Sequence, residues 1–580
     1  MSSRKKRIHC RPLPDTLPTL HADISPVLAR IYAARKITDN TQLAKGLQLL
    51  CPGDSMKGIG RAVELLAQAV EDGRKILIVG DFDADGATSS AVAVRALRVM
   101  GAAQVDFLVP NRFEYGYGLT PEIVAVAAEK TPDVIVTVDN GIASIDGVAA
   151  AKALGLTVIV TDHHLPGPNL PMADAIVNPN QPGCDFPSKH LAGVGVIFYV
   201  MLALRAALRD SGWFARRGQE PPNLAQLLDL VALGTVADVV PLDHTNRILV
   251  AQGLARIRRG YCNEGIRALF EVAGRSREQA VASDLGFVVG PRLNAAGRLE
   301  DMAIGIHCLL SEQRGEAMAL AQQLDRLNRQ RRTIEEDMRQ QAMAHLDALQ
   351  VNDGAALPTG LCLFDPAWHQ GVIGILASRV KERYHRPVIA FAQVSDGEIK
   401  GSARSVAGFH IRDALDAIAT RNPGLMTKFG GHAMAAGLSL TLDRLAEFKA
   451  AFDEEACRHL SPEDLQEVIL SDGQLASHEL NLELAEQLRH AGPWGQGFPE
   501  PLFDGRFGVV QRRIVGERHL KMVLRTLDGP RNVDAIAFNT VDNDWPADVD
   551  QVHIAYQLDV NEFRGERNAQ LLVQYIEPCG

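Results

Sequence analysis

Short β-branched apolar runs alternate with helical stretches through the first third of the chain. Ile76–Val79, Val105–Val109, Val134–Val138 and Val158–Val160 read as strands, while Ala91–Met100 and Pro121–Glu129 carry helical spacing. Strands separated by helices predict a parallel sheet wrapped by helices. From Glu312 to Leu349 the chain is rich in Gln, Arg, Ala and Leu, with no Gly or Pro after Gly315. One long helix connecting two domains is expected there. A second α/β block spans Gly360 to Cys457, with strands at Leu361–Phe364 and Val388–Ala392. Beyond it, Phe507–Gln511, Lys521–Leu524, Ala535–Phe538, Val552–Gln557 and Ala569–Tyr575 suggest a small antiparallel barrel. The expected division is an N-terminal segment at 1–50, a first α/β domain at 51–311, a connector helix at 312–349, a second α/β domain at 350–460 and an OB-like barrel at 461–580.

With 580 residues, one hydrophobic core is too few, and 46% hydrophobic with 22% charged residues is ordinary for a globular protein. No apolar run reaches the ~18 residues of a membrane span. Basic Arg4-Lys5-Lys6-Arg7 is followed by Ile8-His9-Cys10-Arg11-Pro12, with no apolar stretch, so a secretory signal is not expected. The eight cysteines are scattered without a C-x-x-C pair, which argues against a zinc ribbon or disulfide framework and fits a reducing cytoplasm. A formal net charge of −10 gives no global pull towards nucleic acid. Local basic clusters would have to supply it, at Arg256-Ile257-Arg258-Arg259 or Arg326–Arg332, although such runs are more often solvated helix faces.

The candidate chemistry sits where predicted strands end. Asp81-Phe82-Asp83-Ala84-Asp85-Gly86 follows the first strand, and three carboxylates so close repel unless a cation sits among them. An EF-hand would need a preceding helix and a Glu at loop position twelve, which is Val92 here, so a calcium loop is excluded. Val138-Asp139-Asn140-Gly141 and Thr161-Asp162-His163-His164 end two further strands. Asp238 lies in the apolar helical stretch Ala232–Val239. The carboxyl ends of parallel strands converge on one crevice, and oxygen-rich ligation with a minority of imidazole suits Mn²⁺ or Mg²⁺ better than Zn²⁺. Two such ions are a standard arrangement for attack on phosphorus.

These four segments resemble the motifs of the DHH phosphoesterase superfamily. Trp368-His369-Gln370-Gly371-Val372-Ile373-Gly374 and Phe429–Gly437 resemble its associated second domain. Pro110-Asn111-Arg112, Tyr115–Leu119 and Pro291–Arg298 are spelled as in the superfamily's bacterial single-strand-specific 5′→3′ exonuclease branch. The resemblance implies two divalent cations, with Asp83 and Asp85 on different ions and Asp139 bridging. His163 and Asp238 would complete the second site, Asp81 would assist the first, and His164 would face the scissile phosphate. Asp162 is expected to orient a histidine. Arg112, Ser402 and Arg404, helped by Arg292 and Arg298, are expected to bind the 5′ end, beside Gly430, Gly431 and His432. Arg512, Arg513, His519, Lys521, Arg525 and Tyr575 make the barrel a candidate platform for single strands. The resemblance further implies the single-stranded DNA-binding protein and a RecQ-type helicase as partners, no membrane contact, and a monomer.

Two other readings remain at this stage. A phosphoesterase of pyrophosphate, nano-RNA or cyclic dinucleotides would not need the connector helix and terminal barrel. A non-catalytic DNA-binding scaffold would have lost ligands, yet each expected carboxylate and histidine is present.

Overall fold

The computed structural model describes residues 6–111, 115, 117–353, 357–395, 397–516, 518–538, 540, 549–563 and 565–579. Arg7–Cys10 forms a short strand, β1, that pairs in parallel with Val468–Ser471 far along the chain, Ile8 opposite Ile469. The helix Pro26–Ala34 buries Ile31 and Tyr32. Beyond it, Arg35 forks onto buried Asp472 at 2.8 and 3.0 Å. The N-terminal segment is therefore a strap between the catalytic domain and the barrel domain.

The catalytic sheet contains β2 (Lys75–Gly80), β3 (Gln104–Leu108), β4 (Val134–Val138), β5 (Thr157–Thr161) and β6 (Ala175–Val177) in the order β3-β2-β4-β5-β6, all parallel. Ile76, Leu77, Ile78 and Val79 are fully buried. Such continuous apolar runs belong to strands covered on both faces. The strand order reverses between β2 and β4, and a crevice opens beyond their carboxyl ends at such a switch point. Three helices pack together beneath it, Ala84–Val99, Gly193–Asp210 and Leu228–Ala237.

One helix, Arg314–Asp353, runs for 40 residues. Its first half places Ala317, Ala321 and Leu324 in the catalytic core, while Met338, Ala342 and Leu346 belong to the core of the second domain. The connector is thus shared structure, not a free tether. The second domain holds β7 (Leu361–Phe364), β8 (Val388–Ser395), β9 (Glu398–Arg404), β10 (Lys428–Gly431) and β11 (Ala435–Thr441), ordered β10-β11-β9-β8-β7, with only β7 and β8 parallel.

After Val468–Ser471, here β12, comes a closed barrel of β13 (Phe503–Val515), β14 (His519–Thr526), β15 (Asn532–Ala537), β16 (Gln551–Phe563) and β17 (Glu566–Pro578). All five predicted barrel strands are found, each longer than predicted, with only Phe538 falling just past the end of β15. The expectation of a purely antiparallel barrel needs correction, because β15 and β17 pair in parallel. A ring with an odd number of strands cannot alternate direction throughout. Among the described residues no helix is long and apolar enough to cross a membrane.

Candidate metal centre and phosphate site

Asp81, Phe82 and Asp83 make the turn from β2 into the helix Ala84–Val99. Asp83 caps that helix, its Oδ1 accepting from the N–H groups of Asp85 (2.9 Å) and Gly86 (3.0 Å). The turn is too tight for a side chain at position 86, where a Cβ would fall 2.4 Å from the Asp81 carbonyl oxygen. Asp85 is buried and receives the N–H groups of Gly193 (2.6 Å) and Val194 (2.9 Å) at the start of Gly193–Asp210. A helix N-terminus is a favourable place for a carboxylate.

A second helix, Gly290–Leu299, buttresses this turn. Asn294 Oδ1 accepts from Ala84 N at 2.8 Å, and a Cβ on Gly297 would fall 1.9 Å from the Phe82 carbonyl oxygen. Asn294→Ala is expected to leave the Ala84 N–H unpaired and to weaken Mn²⁺ binding roughly tenfold, as losing a supporting hydrogen bond around a metal site does. Titration calorimetry with Mn²⁺ checks this; unchanged affinity would show the turn is held elsewhere.

Asp139 follows β4 with φ 62°, a left-handed conformation that costs a non-glycine residue about 1 kcal/mol or more. Asn140 ties this turn to β2, donating to Val79 O (3.1 Å) and Val138 O (2.9 Å). Gly193 makes room for it, since a Cβ there would lie 2.6 Å from Asp139 Cβ. After β5, Asp162 accepts from Ile142 N (2.9 Å), His163 N (2.7 Å) and His164 Nδ1 (2.8 Å). Burial alone would raise the Asp162 carboxyl, but these bonds and the neighbouring His164 hold it below the usual range. His164 is affected in the opposite sense. Burial would lower it, yet the Asp162 hydrogen bond and the surrounding carboxylates push it up to about 9. Asp238 ends the helix Leu228–Ala237, and Val239 after it has φ 64°.

These turns converge. His163 Nε2 lies 3.2 Å from Asp139 Oδ1 and 3.5 Å from Asp238 Oδ2. All three atoms are buried and lack hydrogen-bond partners, although such atoms are normally satisfied. Burial, reinforced by neighbouring carboxylates, pushes Asp85, Asp139 and Asp238 well up. Burial and then His164 push His163 down, towards the neutral form that binds metals. Orphaned donor atoms facing one another among repelling carboxylates fit divalent cations. Three groups place a ligand atom from each member within 4.8 Å of one another: Asp81, Asp83 and Asp139; Asp85, His163 and Asp238; Asp139, His163 and His164. Asp139 belongs to two of them.

The second domain reaches this centre through His432, whose ring stacks on His164 at 6.3 Å between centroids. Gly431 precedes it at φ 147°, where a Cβ would meet the Ala435 carbonyl at 2.5 Å. On β9, Arg404 donates to Ser402 Oγ (3.1 Å) and the Ala403 carbonyl (2.8 Å). Burial alone lowers its pKa, and no carboxylate among the described residues pairs with it. Gly374, at the start of the helix Ile373–Tyr384, lets the helix end approach, since a Cβ there would lie 2.9 Å from both Arg404 Nη2 and Ser402 Oγ. A half-buried arginine beside a helix N-terminus is a ready anion site.

Not every expected residue faces an open site. Arg292 donates to Asp325 of the long helix (2.9 Å) and to the Val288 carbonyl (2.6 Å). Arg298 donates to Gly371 O at 3.2 Å, joining the two domains. Gly430 lies on edge strand β10, and Arg112 lies outside the described residues. Sequence reading missed Gly193 and Gly234. A Cβ on Gly234 would lie 2.2 Å from Thr88 Oγ1 and 2.9 Å from Asp85 Oδ1. Tyr117 also acquires a place, with its hydroxyl 3.2 Å from His164 Nδ1 and 3.3 Å from Asp139 O.

A doubly wound catalytic domain with an acidic, histidine-bearing centre and a roofing second domain defines a DHH-type phosphoesterase. The DHH family N-terminal domain matches residues 75–235, the DHHA1 domain 357–456 and the RecJ OB domain 471–575. The chain belongs to the RecJ family. It is 58% identical over 567 residues to the single-stranded-DNA-specific exonuclease RecJ of Dickeya dadantii, covering 98% of this chain and 97% of that one. It is 54% identical over 565 residues to the Escherichia coli protein of that name, covering 97% and 98%. The crystal structure of RecJ in complex with Mn²⁺ from Thermus thermophilus matches with a TM-score of 0.79 at 32% identity, covering 96% of this chain and 76% of that one. The Mg²⁺ complex gives 0.73 at 30%, covering 96% and 75%.

Proposed function

We propose that this chain hydrolyses single-stranded DNA from the 5′ end, releasing 5′-mononucleotides with the help of two divalent cations. The observation that carries this reading is the set of buried, unpartnered atoms of Asp139, His163 and Asp238 beneath a roof that carries the anion-ready Arg404. Asp81, Asp83 and Asp139 would hold one cation, and Asp85, His163 and Asp238 the other, with Asp139 shared. Bound there, Mn²⁺ or Mg²⁺ supplies Lewis acidity to the attacking water and the departing oxygen. The protein's own groups position the strand. His164, held protonated by Asp162, donates to a phosphate oxygen. Arg404 and Ser402, with Gly374 at the helix end, receive the terminal phosphate and so set polarity. His432 closes the cleft above His164, and a roofed cleft favours a single strand over a duplex.

The deciding experiment is digestion of a long 5′-phosphorylated oligonucleotide with Mn²⁺. Stepwise release of mononucleotides supports the reading, whereas cleavage of only dinucleotides or pyrophosphate would refute it. Cation binding should also stabilise the fold by relieving carboxylate repulsion. With Mn²⁺ at a hundred times its dissociation constant the gain is about 2.7 kcal/mol. Calorimetry should show a raised unfolding midpoint that EDTA reverses; an unmoved midpoint would argue against the site.

The barrel strand β14 carries Lys521 and, nearer its other end, exposed Arg525, while Ile514 and Phe538 are exposed near its start. This surface suits a single strand and the acidic tail of the single-stranded DNA-binding protein. A cytoplasmic monomer working with a RecQ-type helicase in repair and recombination is the setting this reading implies. Pull-down with that tail, lost in an Arg525→Glu variant, tests the partner surface; binding that survives would place the tail elsewhere.

A further inference from the structure

Two backbone irregularities meet at one corner of the cleft, and fold stability explains neither. Val239 is left-handed at φ 64°, yet it is β-branched and its residue is 62% exposed. Glycine would adopt this conformation after a helix end without strain, and an exposed isopropyl group recovers little by burial. Nearby, Leu285–Val289 forms a π-helical turn from which Phe287 stands out, 78% exposed. Turns of this kind recur at functional positions. The two features adjoin because of Gly286 and Gly290. A Cβ on Gly286 would lie 3.2 Å from Val236 Cγ1, and one on Gly290 would lie 3.2 Å from Ala237 Cβ. The π-turn therefore packs on the last helical turn before Asp238. From Phe287 the same helix continues through Pro291, Asn294 and Arg298 along a cavity of about 460 Å³, with Arg332 among its other lining residues.

We propose that Val239 and Phe287 form an apolar step that takes the base of a nucleotide next to the bond being cut, by stacking and contact alone. The inference rests on the reading of this chain as a single-strand nuclease. The step lies immediately beside Asp238, so whatever occupies it is the part of the substrate flanking the reacting phosphate. Neither side chain can hydrogen-bond a base edge, which suits an enzyme that must accept every base in turn. Arg332 offers a charge for a phosphate further along the same cavity. Backbone strain at Val239 and the local bulge at Phe287 are then retained for what the side chains touch.

The test is a binding cycle with Ca²⁺ replacing Mn²⁺ to slow turnover. One 5′-phosphorylated oligodeoxynucleotide carries all its bases, and a second has abasic residues at its first two positions. The native chain should bind the complete strand about tenfold more tightly, the scale of one base–aromatic stack. Phe287→Ala and Val239→Gly should each lose most of that difference by weakening only the complete strand. Val239→Gly should also raise the unfolding midpoint of the metal-free protein, which shows that the fold is kept. Equal weakening on both strands, or no weakening on either, overturns the step. If the native chain neither binds nor digests the complete strand, the nuclease reading itself fails, and the step with it.

Discussion

Asp139→Asn is expected to reduce turnover of a 5′-phosphorylated single strand by roughly 10³-fold, the scale of losing a charged group aimed at the reacting centre. Asparagine tolerates the left-handed backbone at this position, so the turn after β4 should survive. Asp139 belongs to two of the three ligand groups, and its buried Oδ1 has no other partner. Losing its charge should weaken both cation sites together. Removing one of several repelling carboxylates should also make the metal-free protein more stable, a stability gain coupled to lost function. Strand affinity, which the proposed reading assigns to groups other than Asp139, should change little. Single-turnover digestion, calorimetry without metal and binding in Ca²⁺ separate these effects. Turnover within tenfold of the native enzyme would remove Asp139 from its shared position.

Arg404→Ala should act on a different quantity. The native chain is expected to prefer a 5′-phosphate over a 5′-hydroxyl, and the variant should lose about 10–100-fold of that preference, the range of a hydrogen bond to a charged group. The loss should appear in KM more than in kcat, because the terminal phosphate is bound alike before and during reaction. Arg404→Lys should recover only part of it, since an ammonium cannot fork onto two oxygens. Arg404 lacks an acidic partner among the described residues, so its loss breaks no ion pair there. An arginine of purely structural value would cost stability and leave end preference untouched, and that result would move the phosphate site elsewhere.

The strands of the catalytic sheet were legible because burial on both faces demands unbroken apolar runs, as in Ile76–Val79. Acidic residues at their carboxyl ends were legible for the same topological reason. What escaped sequence reading had an apolar signature too short or too interrupted to stand out. β6 is a three-residue edge strand, and Gly401, Gly430, Gly431 and Gly437 interrupt the apolar alternation of β9 to β11. Gly193 and Gly234 serve the centre by having no side chain, a property visible only once their neighbours are placed. Arg292 shows another limit of spelling, which marks a basic residue but not the carboxylate within its reach, here Asp325.

The pairing of β1 with β12 has a consequence for how the molecule is made. During synthesis β1 is produced before the catalytic domain, while its partner follows the second domain, so it waits unpaired through most of translation. Loop closure grows costly only slowly with length, so the delay is a matter of time more than of free energy. An idle strand is open to pairing with another chain in the meantime. Arg35 can therefore meet Asp472 only once the chain has been made through the second domain, which makes their pairing a late, locking contact. Bulky fusions ahead of β1 should hinder that last step and leave a folded catalytic domain with a loosely held barrel.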